Sequence, residues 1–499
     1  AVTKIILNGS LTMQTGRTET IHGVSQTYGL AHMFASNIEM GPGSSLDLNG
    51  LDYAYEAEQT VGANRTASRQ KWIASGTLSN PITIRGGASK ASGSSLIQLD
   101  GGGIYSYYEI EWSFVDVRGF AEMTWLGYNG WSSDHPHWFF HRCSFDDTAM
   151  PKQSNIAAAG RRYYIGNRFL NIDGTFTIGG LTPSVDADFH KNLFHSTTSA
   201  SLSATQGYTF QKNVFLGFNT QNVRTTDISE NIVSDYLGTV GYINDLYSSF
   251  DTGKVDKNYI LRQRANPHLV SMGTPSITKS SSFNDNVIEA SYDVGGASSS
   301  SEPGDLFGGG GANHTVEIQR NLKIDYNGGT PINASGSVKT GTHNCNQNSF
   351  IIPSVIPSSN SPAYGLFYKA ENGGYFSGTN TAQNNNIVDR DSGSSDLAFF
   401  GKSGQNEEWN TLGFNNFEAI STIYQDITDS GGSAVTPTGD TTHNSDFVEE
   451  VTHLQLAEYF GLSGSSADLK LALDTEFKKA YSVDHDPRFE VENIREWYQ

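Results

Sequence analysis

Cysteine is almost absent from this chain, with two in 499 residues. So few thiols neither support nor exclude an exported protein. Basic residues are also scarce. There are 32 lysines and arginines against 52 acidic residues, a net charge of −20, and no basic face can be read from the chain. That excludes a strongly cationic nucleic-acid binder and points away from nucleic acid as a partner. Long apolar runs are missing as well. None approaches the roughly 18 residues that span a bilayer, so no membrane-crossing helix is expected. Charged residues make up only 17 % of the chain. Ala1-Val2 runs straight into the strand-like Lys4-Ile5-Ile6-Leu7, with no signal peptide in these 499 residues. This reads as the processed start of an extracellular protein.

What the chain does have is one small pattern, repeated. An apolar residue is followed three positions later by Asn and two positions after that by another apolar residue. Clear copies are Tyr164-Asn167-Phe169, Phe189-Asn192-Phe194, Phe210-Asn213-Phe215 and Ile228-Asn231-Val233. Further on come Val255-Asn258-Ile260, Phe283-Asn286-Ile288, Cys345-Asn348-Phe350 and Leu412-Asn415-Phe417. Ile318-Asn321 has Lys323 where the second apolar residue belongs, and around Asn384, Asn385 and Asn386 the register is ambiguous. Phe140-Cys143-Phe145 puts Cys in place of Asn, and Ile110-Ser113-Val115 reads as a degenerate first copy. Ten intervals separate Cys143 from Asn415, a mean period of about 27 residues.

A fixed motif with elastic spacing means one structural unit per copy, with loops of different length spliced between. Phe, Ile, Val and Tyr at the flanks favour strands. Each copy holds too little apolar surface to fold alone, so the copies must stack. The geometry that fits is all-β, a parallel β-solenoid whose apolar residues point into the bore. The Asn residues sit at a bend, accept left-handed backbone angles and bond one another along the stack. They are scaffold. Cys143 and Cys345 fall eight coils apart, roughly 38 Å at about 4.8 Å per coil. A disulfide needs Cα atoms within about 7 Å, so both are expected as free thiols. Residues 295–311 form a Gly/Ser-rich insertion and 427–445 a polar linker. Asp446 and Glu449 then fit a capping box before a helix, and Leu469, Leu473 and Phe477 share one face of a second. The expected organisation is a solenoid over 1–430 and a linker with a helical cap over 431–499.

The Asn ladder, the coil length and the inward aromatic stacks resemble the right-handed parallel β-helix superfamily, which includes pectate and alginate lyases, chondroitinase B, polygalacturonases and phage tailspikes. The phrase Gly76-Thr77-Leu78-Ser79-Asn80-Pro81-Ile82-Thr83-Ile84 is similar to the entry coils of many secreted members. The resemblance covers roughly residues 5–430 and implies a fold more firmly than an activity.

It also implies where chemistry would sit. In these enzymes the substrate lies along the strand that follows the third side of each coil. Counting from each Asn places such strands at 124–128, 155–160, 175–180, 201–204, 222–226, 239–245, 269–273, 332–338, 363–369 and 397–402. Arg224, Tyr242 and Asp245 are the charged or polar candidates on adjacent central coils, with Lys254, Arg262 and Arg264 on bounding segments and Tyr128 at the end of an earlier cleft strand. Eliminating a uronate needs a group that neutralises its carboxylate, a base for the α-proton and an acid for the leaving oxygen. Arg224 can neutralise or act as base and Tyr242 can supply the acid, and a bound Ca²⁺ could assist. Hydrolysis needs two carboxylates instead. Asp186 and Asp188 are the best local pair and the candidate metal ligands. Asp134, His135, His137 and His141 form the densest histidine cluster, a metal site or ordinary surface residues. The Asp-Asp and Gly-His-Gly set of polygalacturonases is missing, and so are the lysine and arginine signatures of the alginate lyase group. The expected function is a secreted enzyme acting on an acidic polysaccharide. The alternative is a non-catalytic adhesin or tailspike-like carbohydrate binder.

Overall fold

Short strands with alternating burial set the architecture. Trp138–His141 and Arg162–Ile165 each bury every second residue and turn the others outward. The computed structural model describes residues 5–12, 17–21, 24–28, 30–32, 37–56, 69–99, 107–125, 138–149, 151–153, 162–170, 174–178, 187–195, 200–216, 223–234, 246–247, 252–263, 279–290, 307–308, 314–325, 332–335, 339–352, 368–371, 376–389, 397–400, 409–418, 420, 422–425, 427, 437 and 439–441. These residues are almost all β. The one helical turn among them is the 3₁₀ segment Lys90–Ser92. The expected C-terminal helices lie outside the described residues.

The chain divides into two units, one running through Phe218 and one from Asn219. In the first unit, one sheet stacks Arg69–Ser75, Tyr107–Ser113, Trp138–His141, Arg162–Ile165 and Ala187–His190 in parallel. A second sheet stacks Ile82–Arg85, Val115–Arg118, Ser144–Asp146, Arg168–Leu170, Leu193–His195 and Val214–Leu216, again in parallel. A third runs through Leu30–His32, Asp52–Glu56, Ser94–Leu99, Phe120–Trp125 and Pro151–Gln153. Gly174–Ile178 pairs with the start of Ala200–Gln211, whose end pairs with Ala187–His190. The antiparallel hairpin Arg17–Ile21 with Val24–Tyr28 is the exception.

The second unit repeats the plan. Its first sheet holds Val223–Ser229, Thr252–Asp256, Lys279–Asn284, His314–Gln319, Lys339–Asn346, Phe376–Gln383 and Trp409–Gly413. Its second runs from Ile232–Ser234 to Asn416–Glu418. Its third links Phe307–Gly308, Ile332–Ser335, Tyr368–Glu371, Leu397–Phe400 and Thr422–Gln425. Strand, bend, strand and a third strand per repeat, all paired in parallel, are consistent with a parallel β-solenoid in each unit.

The inward residues stack in columns. Phe140, Tyr164, Phe189 and Phe210 follow one another with ring centroids 5.2, 4.5 and 4.6 Å apart. Beyond the bend, Phe145, Phe169, Phe194 and Phe215 do the same at 5.0, 4.8 and 4.8 Å. Ring spacing near the strand spacing keeps each pair in stacked contact. In the second unit the column before the bend is mostly aliphatic, with Ile228, Val255, Phe283 and Ile318 buried there. Lys323 takes the position between Ile288 and Phe350 and is buried there, as its place in the repeat requires.

The Asn ladder is present in both units. Asn192 Nδ2 donates to Tyr164 O at 2.7 Å and to Asn213 Oδ1 at 2.9 Å, and its own Oδ1 accepts from the backbone N–H and Nδ2 of Asn167. The second unit repeats these contacts through Asn231, Asn258, Asn286, Asn321, Asn348, Asn385 and Asn415. Asn385 settles the ambiguous register.

Two details of the expected ladder are corrected. The left-handed residue at each bend is the one before the Asn. Arg142, Lys191, Lys212, Glu230, Lys257, Asp285, Arg320, Gln347, Asn384 and Phe414 have φ between 54° and 61°, and Gly166 has 67°. The Asn residues avoid that strain and are left free to bond along the stack. The first copy is also shifted by two residues. Trp112 pairs with Phe140 and Val117 with Phe145, and Phe114 has the left-handed φ of 52°. The copy is therefore Trp112-Val115-Val117, and Val115 holds the rung position. The ladder also gains a rung at its far end. Asp440, inside the stretch read as a linker, follows left-handed Gly439 and accepts from the Asn415 backbone N–H at 3.0 Å, while Thr441 bridges to Asn416.

Both cysteines are free and buried. Cys143 Sγ donates to Trp112 O at 3.3 Å, the bond that Nδ2 makes on the Asn rungs. Burial pushes its thiol up to about 12, against the pull of two backbone hydrogen bonds, and burial raises Cys345 further. Neither is a nucleophile near neutral pH.

Candidate functional site

Arg224 lies at the start of Val223–Ser229, and its parallel partner on the neighbouring strand is Tyr247. Asp227, at the other end of the same strand, is paired with Lys254 on Thr252–Asp256. Their side chains meet at 3.8 Å. One strand thus carries two candidate groups in succession. Arg224 stands beside a tyrosine, and Asp227 stands beside an exposed lysine. Tyr242 and Asp245 lie outside the described residues, as do Arg264, Tyr128 and Asp186. Arg262 is in Tyr259–Gln263 of the second sheet, where the register shifts between Leu261 and Gln263.

A residue that composition did not single out stands next to Lys254. Asp256 points to the same outer face, two residues on. Its Oδ1 accepts from the Asn284 N–H at 2.8 Å and its Oδ2 from Ser282 Oγ at 2.9 Å. Desolvation raises its pKa above the ordinary carboxylate value. The bonds from Ser282 and Asn284 and the charge of Lys254 oppose the rise, and Asp285 adds to it. A carboxyl perturbed by burial beside a lysine is a candidate for a working group, as it is for a structural ion-pair network. The signal available in the sequence was Lys254-Val255-Asp256, in which alternation puts both charges on one face.

The shift has a consequence for stability. A carboxyl with a raised folded pKa favours folding below its unfolded value, and that contribution is lost as pH rises through the folded pKa. Asp256→Asn is therefore expected to melt at or above the parent temperature at pH 7, with the advantage shrinking at pH 4. Melting curves at the two pH values check this. An equal loss at both would mean that the bonds to Ser282 and Asn284 outweigh burial.

No family model matches this chain, and neither a curated protein nor a solved structure matches it. The fold and its side chains therefore carry the functional reading unaided.

Asp188 is partly exposed and accepts from Thr209 Oγ1 at 3.0 Å. Among the described residues no three His, Cys, Asp or Glu side chains converge on a point that would hold a metal ion. His141 is the one described member of the Asp134–His141 cluster, and it lies among rings. Its imidazole is 5.9 Å from Phe139 and 5.9 Å from Phe114. Bidentate bonds join Arg320 to Asp285 at 2.6 and 2.9 Å and raise the Arg320 pKa, so this pair serves the corner of the repeat.

Proposed function

We propose that the chain is an extracellular right-handed parallel β-helix of the pectate lyase-like kind that degrades an acidic polysaccharide, with the polymer lying along the strand that follows the third side of each coil. The observation that carries this reading is Arg224 set in register with Tyr247 on adjacent parallel strands, about 4.8 Å apart. Arg224 would neutralise the uronate carboxylate and lower the barrier to removing the α-proton. A tyrosine from the neighbouring coil, Tyr242 or Tyr247, would protonate the leaving oxygen. That is β-elimination, and hydrolysis by a carboxylate pair is the second chemistry. A Ca²⁺ on Asp186 and Asp188 gains no support from Asp188, whose Oδ1 is engaged by Thr209, and no step is routed through it.

The test is a screen against alginate, pectate, chondroitin and carrageenan, read by the ultraviolet absorbance of unsaturated products. On the substrate found, Arg224→Ala is expected to lower turnover at least about 100-fold with the melting temperature unchanged. Full activity in that variant would overturn the site. The second reading, a binder without catalysis, is favoured by the outer face of the second unit. There Thr381 Oγ1 donates to Asn344 Oδ1 at 3.2 Å and accepts from Asn346 Nδ2 at 3.3 Å, an ordered polar surface.

A further inference from the structure

The outer face of the first sheet differs between the two units. In the second unit, the outward positions four before each rung are Asp227, Lys254, Ser282, Glu317, Asn344, Thr381 and Thr411. In the first unit the corresponding positions include Phe139 and Tyr163, parallel partners with rings 6.2 Å apart. His141 packs beside Phe139, and the Arg142 guanidinium lies 5.4 Å over the Phe114 ring. All five residues are partly exposed. Partly exposed aromatic rings grouped on one sheet face offer a flat apolar surface to a ligand.

The left-handed corner beside it shows the same contrast. In the second unit that position alternates in sign through Glu230, Lys257, Asp285 and Arg320. In the first it reads Arg142, Gly166, Lys191 and Lys212, with no acid. A Cβ on Gly166 would touch Arg142 Cγ at 3.5 Å, so the arginine stem borders the glycine while its guanidinium lies back over Phe114. A chain of net charge −20 thus carries a cationic edge along a ring-bearing face. Glu111 and Asp188 flank the rings on the same row.

We propose that this face is a carbohydrate-binding surface for a polyuronate chain, separate from the cleft strands. It rests on the proposed function only for the class of polymer. The faces of Phe139 and Tyr163 take the apolar face of a pyranose. The cations of Arg142, Lys191 and Lys212 take carboxylates along the chain. Glu111 and Asp188 accept from sugar hydroxyls at the margins. Cations spaced by whole repeats, about 4.8 Å each, suit a polymer that runs across the coils. Such a surface would hold the enzyme on its substrate while the cleft works, which raises the effective concentration of cleavable chain.

The experiment is calorimetric titration of the full chain with galacturonate and mannuronate oligomers, dextran oligomers and oligothymidylate, at low and at physiological salt. The uronates are expected to bind and dextran to bind more weakly. Phe139→Ser with Tyr163→Ala should weaken uronate binding at least about tenfold, whereas Phe139→Tyr with Tyr163→Phe, which keeps both rings, should retain it. Lys191→Gln with Lys212→Gln should weaken binding at low salt and flatten its salt dependence. Parent affinity in both the ring-deleting and lysine variants, or tighter binding of oligothymidylate, would overturn the proposal. The cleft is judged separately. If Arg224→Ala abolishes cleavage while the face variants bind normally, the face falls and the cleft stands. If the face variants lose binding and no polymer is cleaved, the cleft falls and the face stands.

Discussion

Asn192→Ala is expected to destabilise the protein by about 3–5 kcal/mol, seen as a lower midpoint in urea. Asn192 is fully buried and occupies the middle of three amide rungs in its unit. Its Oδ1 accepts from Asn167 N and Nδ2 at 2.9 and 3.0 Å, and its Nδ2 donates to Tyr164 O at 2.7 Å. Alanine leaves two donors on Asn167 without their acceptor and takes one donor from the Tyr164 carbonyl, and each buried group so orphaned costs about 1–3 kcal/mol before relaxation. Asn192→Asp is a sharper companion. It keeps the accepting oxygen but turns the other toward the Tyr164 carbonyl and Asn213 Oδ1. It should be at least as damaging at pH 7 and recover in acid, where a protonated carboxyl can donate again. A loss below about 1 kcal/mol for the alanine variant would mean that the bend is held by its backbone bonds alone.

Gly119→Ala should cost about 3 kcal/mol or more and deplete soluble protein. Gly119 has φ of 70°, and an added Cβ would collide with Gly87 O and come within 2.9 Å of Gly87 N. The neighbours cannot yield, because Gly86 and Gly93 in turn face the Gly119 carbonyl at distances no Cβ tolerates. Backbone meets backbone here, so overpacking adds to the left-handed strain. Gly166→Ala is the control. It shares the positive φ of 67°, but its Cβ would meet only Arg142 Cγ at an ordinary 3.5 Å. It should cost about 1 kcal/mol. Equal losses at the two sites would show that torsional strain, and not the close approach, dominates.

The repeat was legible because its chemistry is unambiguous. An Asn flanked by apolar residues at fixed offsets suits few folds besides a stack of coils, and eight such copies set the parallel stacking. The misplaced first copy shows where the code thins. Ile110, Trp112 and Val115 are all apolar and buried, so without an Asn nothing in the sequence chooses between registers two apart. The left-handed position was hidden for a different reason. Its occupants are Arg, Lys, Glu, Asp, Gln, Asn, Gly and Phe, a set with no shared side-chain property beyond the absence of β-branching. The candidate site was less legible still. Alternation places a side chain inward or outward, but the loops between repeats vary in length, so it does not say which outward groups become neighbours. Arg224 beside Tyr247, Lys254 beside Asp227, and the rings of Phe139 and Tyr163 are products of register between coils.

The Asn ladder within each unit is chemically polar, and that polarity gives it a direction. Each rung gives its backbone N–H and one amide hydrogen to the oxygen of the coil that follows, and its other amide hydrogen back to a carbonyl of the coil before. A nascent stack therefore always presents N–H groups waiting at its leading end, and each new coil satisfies the one before it. Such a series needs a starter that asks little of what precedes it and a stopper that gives nothing onward. Cys143 fits the first role, with a thiol that donates back to Trp112 O beside a Val115 that makes no polar demand. Asp440 fits the second, since a carboxylate accepts from Asn415 and has no hydrogen to hand on. Among the described residues of the second unit, the series closes on a single change of amide to acid.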